Sequence, residues 1–230
     1  MLKAALLTAL LFLSGCEEPI VITDPDYTGF TGTVTDIEGN TYKTIGIGSQ
    51  IWMASNLRVT KLNDGTSISL IQKDSIWKSN RKPSFCWYGN DSAAYSKSYG
   101  ALYNFYVIET GGICPEGWHV ASLGEWKRLS NYLGGYEKAG GKLKDYNSNY
   151  WTGINNCLAN NYGFAALPGG SRKHFSGRFS ELGAKGYWWT STQVSNYMAL
   201  STSMSSESTN LNYYEIVKID GHSVRCLKDP

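Results

Sequence analysis

The sequence predicts an α+β fold in which strand-rich ends enclose a central pair of helices. Polar and apolar residues alternate near the N-terminus, and the middle carries apolar residues at three- and four-residue spacing. After Gly163 the pattern returns to strands and turns. Strands and helices are therefore segregated, which favours α+β over a βαβ series.

The N-terminal half opens with a predicted three-stranded meander. Its strands alternate polar and apolar residues, and the first turn between them is Glu38-Gly39-Asn40. A further strand follows the turn Asn63-Asp64-Gly65, and the polar stretch after it is expected to be a loop. The strands span residues 33–37, 41–47, 50–54 and 66–71, and the loop spans 73–84.

Two helices are predicted in the middle of the chain. The first has an apolar face and ends at Gly111-Gly112. The second begins with the capping box of Ser122 and Glu125 and ends at Gly134-Gly135. The inward residues are Tyr99, Leu102, Tyr103, Tyr106 and Val107 in the first helix, and Trp126, Leu129, Tyr132 and Leu133 in the second.

Short apolar segments predict the remaining strands. One lies between the helices, and the others fill the C-terminal part. Asp220-Gly221 is read as a two-residue hairpin turn between the last two. The strands span residues 118–120, 164–167, 187–192, 198–202, 213–219 and 223–227.

The N-terminus has the pattern of a secretory signal. Lys3 is followed by an uncharged apolar run to Leu13 and then by small residues before Cys16. The run is far shorter than the roughly 20 residues that span a bilayer. Leu13-Ser14-Gly15-Cys16 resembles the lipobox of bacterial lipoproteins, which implies that Cys16 is acylated and becomes the mature N-terminus. An ordinary signal with a chance cysteine is the alternative.

The predicted organisation is a signal over residues 1–15, a lipidated tether over 16–30 and one domain over 31–230. The tether lacks periodicity and contains Pro19 and Pro25. Its two acidic residues after Cys16 resemble surface-export signals of some Gram-negative lipoproteins. We therefore expect an exported lipoprotein anchored to the outer membrane or the cell surface through acyl chains.

Charge and cysteine usage limit the partners and cofactors. The formal net charge is +2 with scattered basic residues, which argues against nucleic acid as a partner. Besides Cys16 the chain has Cys86, Cys114, Cys157 and Cys226, an even number that permits two disulfides in an oxidising compartment. Cys157 is also compatible with a free thiol. No Cys-x-x-Cys pair occurs, and neither a metal nor another cofactor is expected.

Several ordered motifs are similar to the Fibrobacter succinogenes major paralogous domain, which occurs in many bacterial surface lipoproteins. The similarity covers about residues 33–228, with Ala121 where the family usually has Pro. The motifs are Asp36-x-x-Gly39-Asn40-x-Tyr42, Gln50-x-Trp52-Met53-x-x-Asn56-Leu57, Cys86-Trp87-Tyr88, Tyr99-Gly100-Ala101-Leu102-Tyr103-Asn104, Cys114-Pro115-x-Gly117-Trp118-His119-Val120, Phe164-x-Ala166-Leu167-Pro168-Gly169-Gly170-x-Arg172 and Ser223-Val224-Arg225-Cys226.

That family resembles, more weakly, the C-type-lectin-like superfamily, whose fold the formylglycine-generating enzymes share. The resemblance implies two helices flanking a twisted, loop-rich antiparallel sheet with close termini. It also implies a disulfide between Cys114 and Cys226, with Cys86–Cys226 as the competing pair. Function does not follow from fold, so each site is judged on its own residues.

The residues that form the catalytic and metal sites of these relatives are absent from this sequence. The Glu-Pro-Asn or Gln-Pro-Asp motif of calcium lectins and its Trp-Asn-Asp partner are absent. A closely spaced cysteine pair for oxidase chemistry is absent too. Glu125 is read as a helix-capping residue and the lone His119 as a structural residue. His174 and His222 have no nucleophile at a suitable spacing. We expect no catalytic residue.

The predicted ligand-binding segment runs from Trp188 to Tyr214. Neighbouring strand residues point to opposite faces, so Trp188 and Trp189 cannot enter the same core layer, and one is expected to stay accessible. The segment is rich in Tyr, Ser and Asn, as antibody paratopes are. A polar solvent-facing sheet is the alternative. The candidates are Trp188, Trp189, Tyr197, Asn210, Asn212, Tyr213 and Tyr214.

The expected function is therefore binding or adhesion to a glycan or a protein, without catalysis. An enzyme acting on polysaccharide is one alternative, which a converging carboxylate pair would favour. A structural subunit of a surface assembly is another, which a large exposed apolar patch would favour.

Overall fold

Two five-stranded sheets and one three-stranded sheet form most of the fold in residues 24–145, 150–152 and 162–230, the part that this computed structural model describes. The strands of the first sheet are β1 (Thr31–Thr35), β2 (Thr41–Ile47), β3 (Gln50–Met53), β7 (Trp118–Val120) and β13 (Cys226–Lys228). Their order is β1-β2-β3-β13-β7, with every neighbouring pair antiparallel. The predicted meander is confirmed as β1-β2-β3.

The second sheet contains most of the predicted binding segment. Its strands are β8 (Gly169–Arg172), β9 (Phe179–Leu182), β10 (Lys185–Gln193), β11 (Met198–Ser205) and β12 (Asn212–Val217). Their order is β12-β11-β10-β8-β9, and only the β10–β8 pair among these strands is parallel. Strand β12 therefore lies at the edge of the sheet.

The remaining elements within the described ranges are a small sheet, five α-helices and one 3₁₀ turn at Tyr88–Asn90. The small sheet consists of β4 (Ser69–Leu70), β5 (Ser84–Cys86) and β6 (Leu102–Tyr103). The helices are α1 (Asp74–Trp77), α2 (Ser92–Tyr99), α3 (Phe105–Ile108), α4 (Leu123–Tyr132) and α5 (Tyr136–Leu143). Strands outweigh helices and most strand pairs are antiparallel, so the predicted α+β class is confirmed.

Helix α4 forms where the capping box predicts it. The Ser122 side chain accepts from the backbone of Glu125, and the Glu125 side chain accepts from the backbone of Ser122. Trp126 and Leu129 are buried as expected. Tyr132 is 45% exposed, so its predicted inward position is wrong.

The single helix predicted from Tyr99 to Gly111 is wrong. Helix α2 ends at Tyr99, and Gly100 has φ 71°, which breaks the helix. A Cβ on Gly100 would lie 2.6 Å from the Leu57 carbonyl oxygen, so only glycine permits this close passage. Strand β6 and the one-turn helix α3 follow instead.

The predicted hairpin at Asp220-Gly221 is also wrong, because β12 and β13 belong to different sheets. The chain between them bonds to other segments: Gly221 pairs with Arg172, and His222 pairs with Tyr103. The strand predicted over 164–167 is reduced to an isolated bridge between Ala166 and Lys144.

Two large apolar clusters lie on opposite faces of β10. The first includes Trp189 with Met53 and Cys226. The second includes Trp188 with Trp52. Each cluster draws residues from both five-stranded sheets, so β10 links the two halves of the core.

The N-terminal end of the described chain lies near the C-terminus. Asp24 and Pro230 line one groove, as the expectation of close termini requires. The signal and most of the tether, including Cys16, lie outside the described residues.

Candidate functional site

Strand alternation distributes the predicted binding residues over two faces of the second sheet. Trp188 lies opposite Thr202, which in turn lies opposite Tyr213. Ser201 pairs in the same way with Trp189 and Tyr214. Consecutive residues therefore point away from each other, and the candidates form no single site.

Trp188 is a core residue, contrary to its candidacy for ligand binding. It is fully buried, and its indole Nε1 donates to Oδ1 of Asn56 at 2.8 Å. Its ring lies 6.4 Å from that of Trp126 on α4. The elements packed on the helical side of the sheet cover this ring completely.

Trp189 is a core residue for the same reason on the opposite face. It is fully buried, and its Nε1 donates to the Tyr103 carbonyl at 2.7 Å. Phe105 meets its ring edge-on at 5.3 Å. The two tryptophans do enter different core layers, but the expectation that one stays accessible is wrong because both faces of β10 are covered.

The other candidates are dispersed over the surface. Tyr197 is 61% exposed at the turn between β10 and β11, where Arg81 lies 5.5 Å from its ring centre. The backbone of Asn210 packs against Gly140 of α5. Tyr214 is half-exposed on the face opposite to Tyr213. Only Asn212 and Tyr213 line the same groove.

This groove lies between helices α4 and α5 and the first residues of β12, with a volume of about 500 Å³. We call it the helix–strand groove. The side chains that give it its chemistry are Lys127, Ser130, Asn131, Tyr136, Asn212 and Tyr213.

Hydrogen bonds to backbone atoms position the two aromatic residues of the helix–strand groove. Leu211 donates its amide to the Tyr136 carbonyl at 2.8 Å, which ties the start of α5 to β12. Tyr136 is 53% exposed, whereas Tyr213 is half-buried with its hydroxyl 3.4 Å from the Trp126 carbonyl. Burial raises the pKa of Tyr213, so this ring is neutral at ordinary pH.

The groove offers complementary groups to a polar ligand. Tyr136 provides an exposed aromatic face, and Asn131 and Asn212 provide amides that donate and accept. Lys127 adds an ammonium donor. Sequence reasoning identified Asn212 and Tyr213 but missed Tyr136, because helix α5 was not predicted. It also missed Lys127 and Asn131, which lie at exposed positions of the predicted helix α4.

Glu125 and His119 form a structural ion network. His119 Nε2 lies 2.9 Å from Glu125 Oε1, and Nδ1 lies 2.6 Å from Asp229 Oδ1. Burial alone would lower the pKa of His119, but the two carboxylates raise it overall. The imidazole thus links the start of α4 to the C-terminal end, and the predicted capping role of Glu125 is confirmed.

The predicted disulfide between Cys114 and Cys226 is confirmed, with Cα atoms 5.9 Å apart. The competing Cys86–Cys226 pair is therefore wrong. Cys86 is a buried free thiol, and burial raises its pKa to about 12, which leaves it protonated. Cys157 lies outside the described residues.

Two motif arginines have structural roles. Arg225 is fully buried, donates through Nε to Asn56 Oδ1 at 2.9 Å and also binds the Phe164 carbonyl. Arg172 is equally buried and pairs with Asp74 at 2.9 Å. These cations connect distant loops, so their role in holding the fold together explains why they belong to the motifs.

Within residues 24–145, 150–152 and 162–230, no group of three or more His, Cys, Asp or Glu side chains is arranged to hold a metal ion. None of the helices there has the length and apolar character to cross a membrane.

Comparison with known proteins gives one finding. The model of a family described as the Fibrobacter succinogenes major domain matches residues 45–228. No curated protein and no solved structure matches the chain.

Proposed function

We propose that this chain, which belongs to the Fibrobacter succinogenes major domain family, is an exported lipoprotein whose domain binds glycans at the helix–strand groove. The observation that carries the binding proposal is the exposed Tyr136 ring beside the amides of Asn131 and Asn212. Sugar rings stack on aromatic faces, and their hydroxyls both donate to and accept from amides.

The size and polarity of the groove support this ligand class. Its volume of about 500 Å³ lies within the range of small-molecule sites, which is about 300–1,000 Å³. Tyr and Asn also give contact area and hydrogen bonds at small conformational cost. Segments of a surface polysaccharide or of a glycoprotein are suitable ligands.

A binding role is further supported by the state of the carboxylates. A glycosidase requires two carboxyl groups that face one bond of the substrate. Glu125 is held by His119, Glu181 by Lys173 and Lys185, and Asp220 by His174. These carboxylates already serve the fold, which favours binding over polysaccharide hydrolysis.

The proposed architecture is C-type-lectin-like, without the calcium site of true lectins. The α+β class, the close termini and the disulfide from Cys114 to the last strand support it. Helix α4, which begins at its Ser122 capping box, packs beneath the second sheet through Trp126.

The proposed anchor is a lipid on Cys16, after cleavage of residues 1–15. Replacing the cysteine removes the site of acylation, so Cys16→Ala is expected to release the protein from the membrane fraction. Fractionation and mass spectrometry of the mature N-terminus test this, with Cys86→Ala as the matched control that remains anchored. A membrane-bound Cys16→Ala protein would contradict the lipid anchor.

The groove is tested with the purified, unacylated Cys16→Ala chain on a glycan array. Loss of an aromatic contact worth about 1.4 kcal/mol weakens binding about tenfold, and this is the effect expected of Tyr136→Ala. Asn131→Ala is expected to weaken binding to a smaller extent. A chelator is expected to leave binding unchanged.

The control variant is Tyr197→Ala, because Tyr197 is even more exposed but lies outside the groove. It is expected to retain full binding. Equal binding by the Tyr136→Ala and Tyr197→Ala variants would remove the groove from the proposal. Loss of binding in chelator would indicate a calcium site instead.

A further inference from the structure

A second cavity lies on the face of the second sheet that the helix–strand groove does not use. Its volume is about 260 Å³. We call it the His222 cavity. Six of the side chains that line it are Lys173, Lys185, Tyr187, Ser201, Tyr214 and His222.

His222 is held rigidly at this cavity. It is 1% exposed, and its ring stacks on Tyr187 at 5.0 Å and meets Trp189 at 4.6 Å. Its Nδ1 lies 2.8 Å from Ser201 Oγ. Two aromatic rings and one hydrogen bond therefore fix the orientation of the imidazole.

The hydrogen bonds of Ser201 identify the tautomer of His222. Ser201 Oγ lies 2.8 Å from the Trp188 carbonyl oxygen, which can only accept. We assign the single hydroxyl proton to this carbonyl, so that Ser201 accepts from Nδ1–H of the imidazole. The ring is neutral, since burial and then the nearby Lys173 lower the pKa of His222 to about 3. Nε2 is therefore a bare acceptor, and Ser201 is not an activated nucleophile.

This acceptor is unsatisfied. Within the described part of the chain, the buried Nε2 of His222 has no hydrogen-bond partner. Buried polar atoms without a partner are rare in folded proteins, and each calls for an explanation such as a ligand or an ordered water. A group that reaches Nε2 must donate a proton to it.

Two ammonium groups flank the same cavity. Glu181 binds Lys173 at 3.0 Å and Lys185 at 2.9 Å, and it accepts from the Tyr187 hydroxyl at 2.9 Å. Burial alone would raise the pKa of Glu181, but these bonds lower it to about 2, so its carboxylate stays charged.

The backbone at Glu181 has φ 66°, an unusual conformation for a residue with a side chain, and such strain is often found at functional sites. The strained residue holds both lysines in place beside the cavity. Each ammonium has three N–H donors, so both lysines retain donors for a ligand.

A sugar hydroxyl matches this arrangement, because one oxygen both donates to an imidazole nitrogen and accepts from an ammonium. We propose that the His222 cavity binds a single sugar residue, with a ring hydroxyl donating to Nε2 of His222 and accepting from the lysine pair. The half-exposed ring of Tyr214 forms the outer wall. The cavity volume of about 260 Å³ lies just below the range of about 300–1,000 Å³ for drug-sized ligands, which limits the ligand to one ring rather than an oligosaccharide.

This site is separate from the helix–strand groove and goes beyond the proposed function. Tyr213 lines the groove and Tyr214 lines the cavity, and alternation along β12 places their side chains on opposite faces. One domain would therefore bind an internal segment of a glycan on one face of the sheet and a terminal sugar on the other.

Nitrogen NMR of the histidine rings tests the proposal directly in the purified Cys16→Ala chain. The probes are methyl glucoside, methyl galactoside, methyl mannoside and N-acetylglucosamine, each titrated to high millimolar concentration. We expect at least one probe to shift the His222 Nε2 resonance saturably, while the resonances of His119 and His174 stay unchanged.

Variants of the rim separate ligand binding from folding. Lys185→Met and Tyr214→Ala, both at partly exposed positions, are expected to raise the dissociation constant of the bound probe at least fivefold. Tyr197→Ala is the control with unchanged affinity. No His222 shift with any of the four probes, which is the outcome if Nε2 binds only water, would overturn the proposal.

The two proposals fail separately. If the array signal falls in Tyr136→Ala while His222 ignores every probe, the cavity proposal alone is overturned. If His222 responds while Tyr136→Ala retains full array binding, the groove proposal alone is overturned.

Discussion

Asn56 accepts hydrogen bonds from two of the largest buried side chains. Its Oδ1 accepts from Trp188 at 2.8 Å and from Arg225 at 2.9 Å, while its Nδ2 donates to the Tyr99 carbonyl at 2.8 Å. A buried guanidinium is costly unless it is well bonded, so this amide determines where both partners lie. Trp188 is held in the core by this bond together with the burial of its apolar ring.

Because of His222, acid lowers the stability of the fold. Its pKa is about 3 in the fold and about 6.5 when the chain is unfolded, so the unfolded state binds the proton more tightly. Its contribution to stability is complete above about pH 6.5 and is lost as the pH falls towards 3. Each pH unit in that window removes on the order of 1 kcal/mol.

We expect His222→Gln to flatten the decline in stability between pH 6.5 and 3, as measured by urea unfolding at stepped pH. His119→Gln is the matched control of opposite sign. The pKa of His119 is raised in the fold, so its stabilisation is complete below about pH 6.5 and is lost as the pH rises through the folded value. Parallel pH profiles for wild type and His222→Gln would contradict this account.

At the residue level, sequence reasoning identified the side chains that interact locally. The bond between Ser122 and Glu125 spans three positions and follows from their spacing alone. The partners of Trp188 and His222 lie far away in sequence, at Asn56 and Ser201. No local pattern contains that information, so the burial of Trp188 and the His222 cavity were not predictable.

Among the elements, strands with clear alternation were predicted well. Strands β1, β2 and β3 follow the alternating residues 33–54 closely, because tight turns pair neighbouring segments. Strand β12 was also expected, but its partner was not. Asp220-Gly221 has the composition of a hairpin turn, yet the following residues bond to Arg172, Tyr103 and Tyr187.

Helical spacing was a weaker guide around Gly100. Leu102, Tyr103 and Val107 are all buried, as an amphipathic face predicts. They reach the core from a strand and a short helix, because the chain turns at Gly100 where it passes the Leu57 carbonyl. Residues that are buried by tertiary contacts recur here at helical spacing without forming one helix.

For the whole molecule, the disulfide is the long-range constraint between the helical region and the last strand. It joins Cys114 to Cys226 across 112 residues. Closing a loop of this size stabilises a fold by about 4–5 kcal/mol in the chain-entropy model. Both sulfurs lie in the first core cluster, so reduction also weakens packing there.

We therefore expect Cys114→Ala with Cys226→Ala to lower the free energy of unfolding by about 2–5 kcal/mol, as measured by urea denaturation. Reductant should lower the stability of the wild type by a similar amount and leave the double variant unchanged. A double variant as stable as the wild type would show that the disulfide adds nothing to the fold.

The position of β10 determines how the domain comes apart. Trp188 and Trp189 are neighbours on one strand, yet each is packed in a different apolar cluster. Neither cluster can dissolve while the other remains intact, because the shared backbone would have to move in both. The slowest amide hydrogens of both halves should thus exchange with deuterium with one common opening free energy, that of global unfolding.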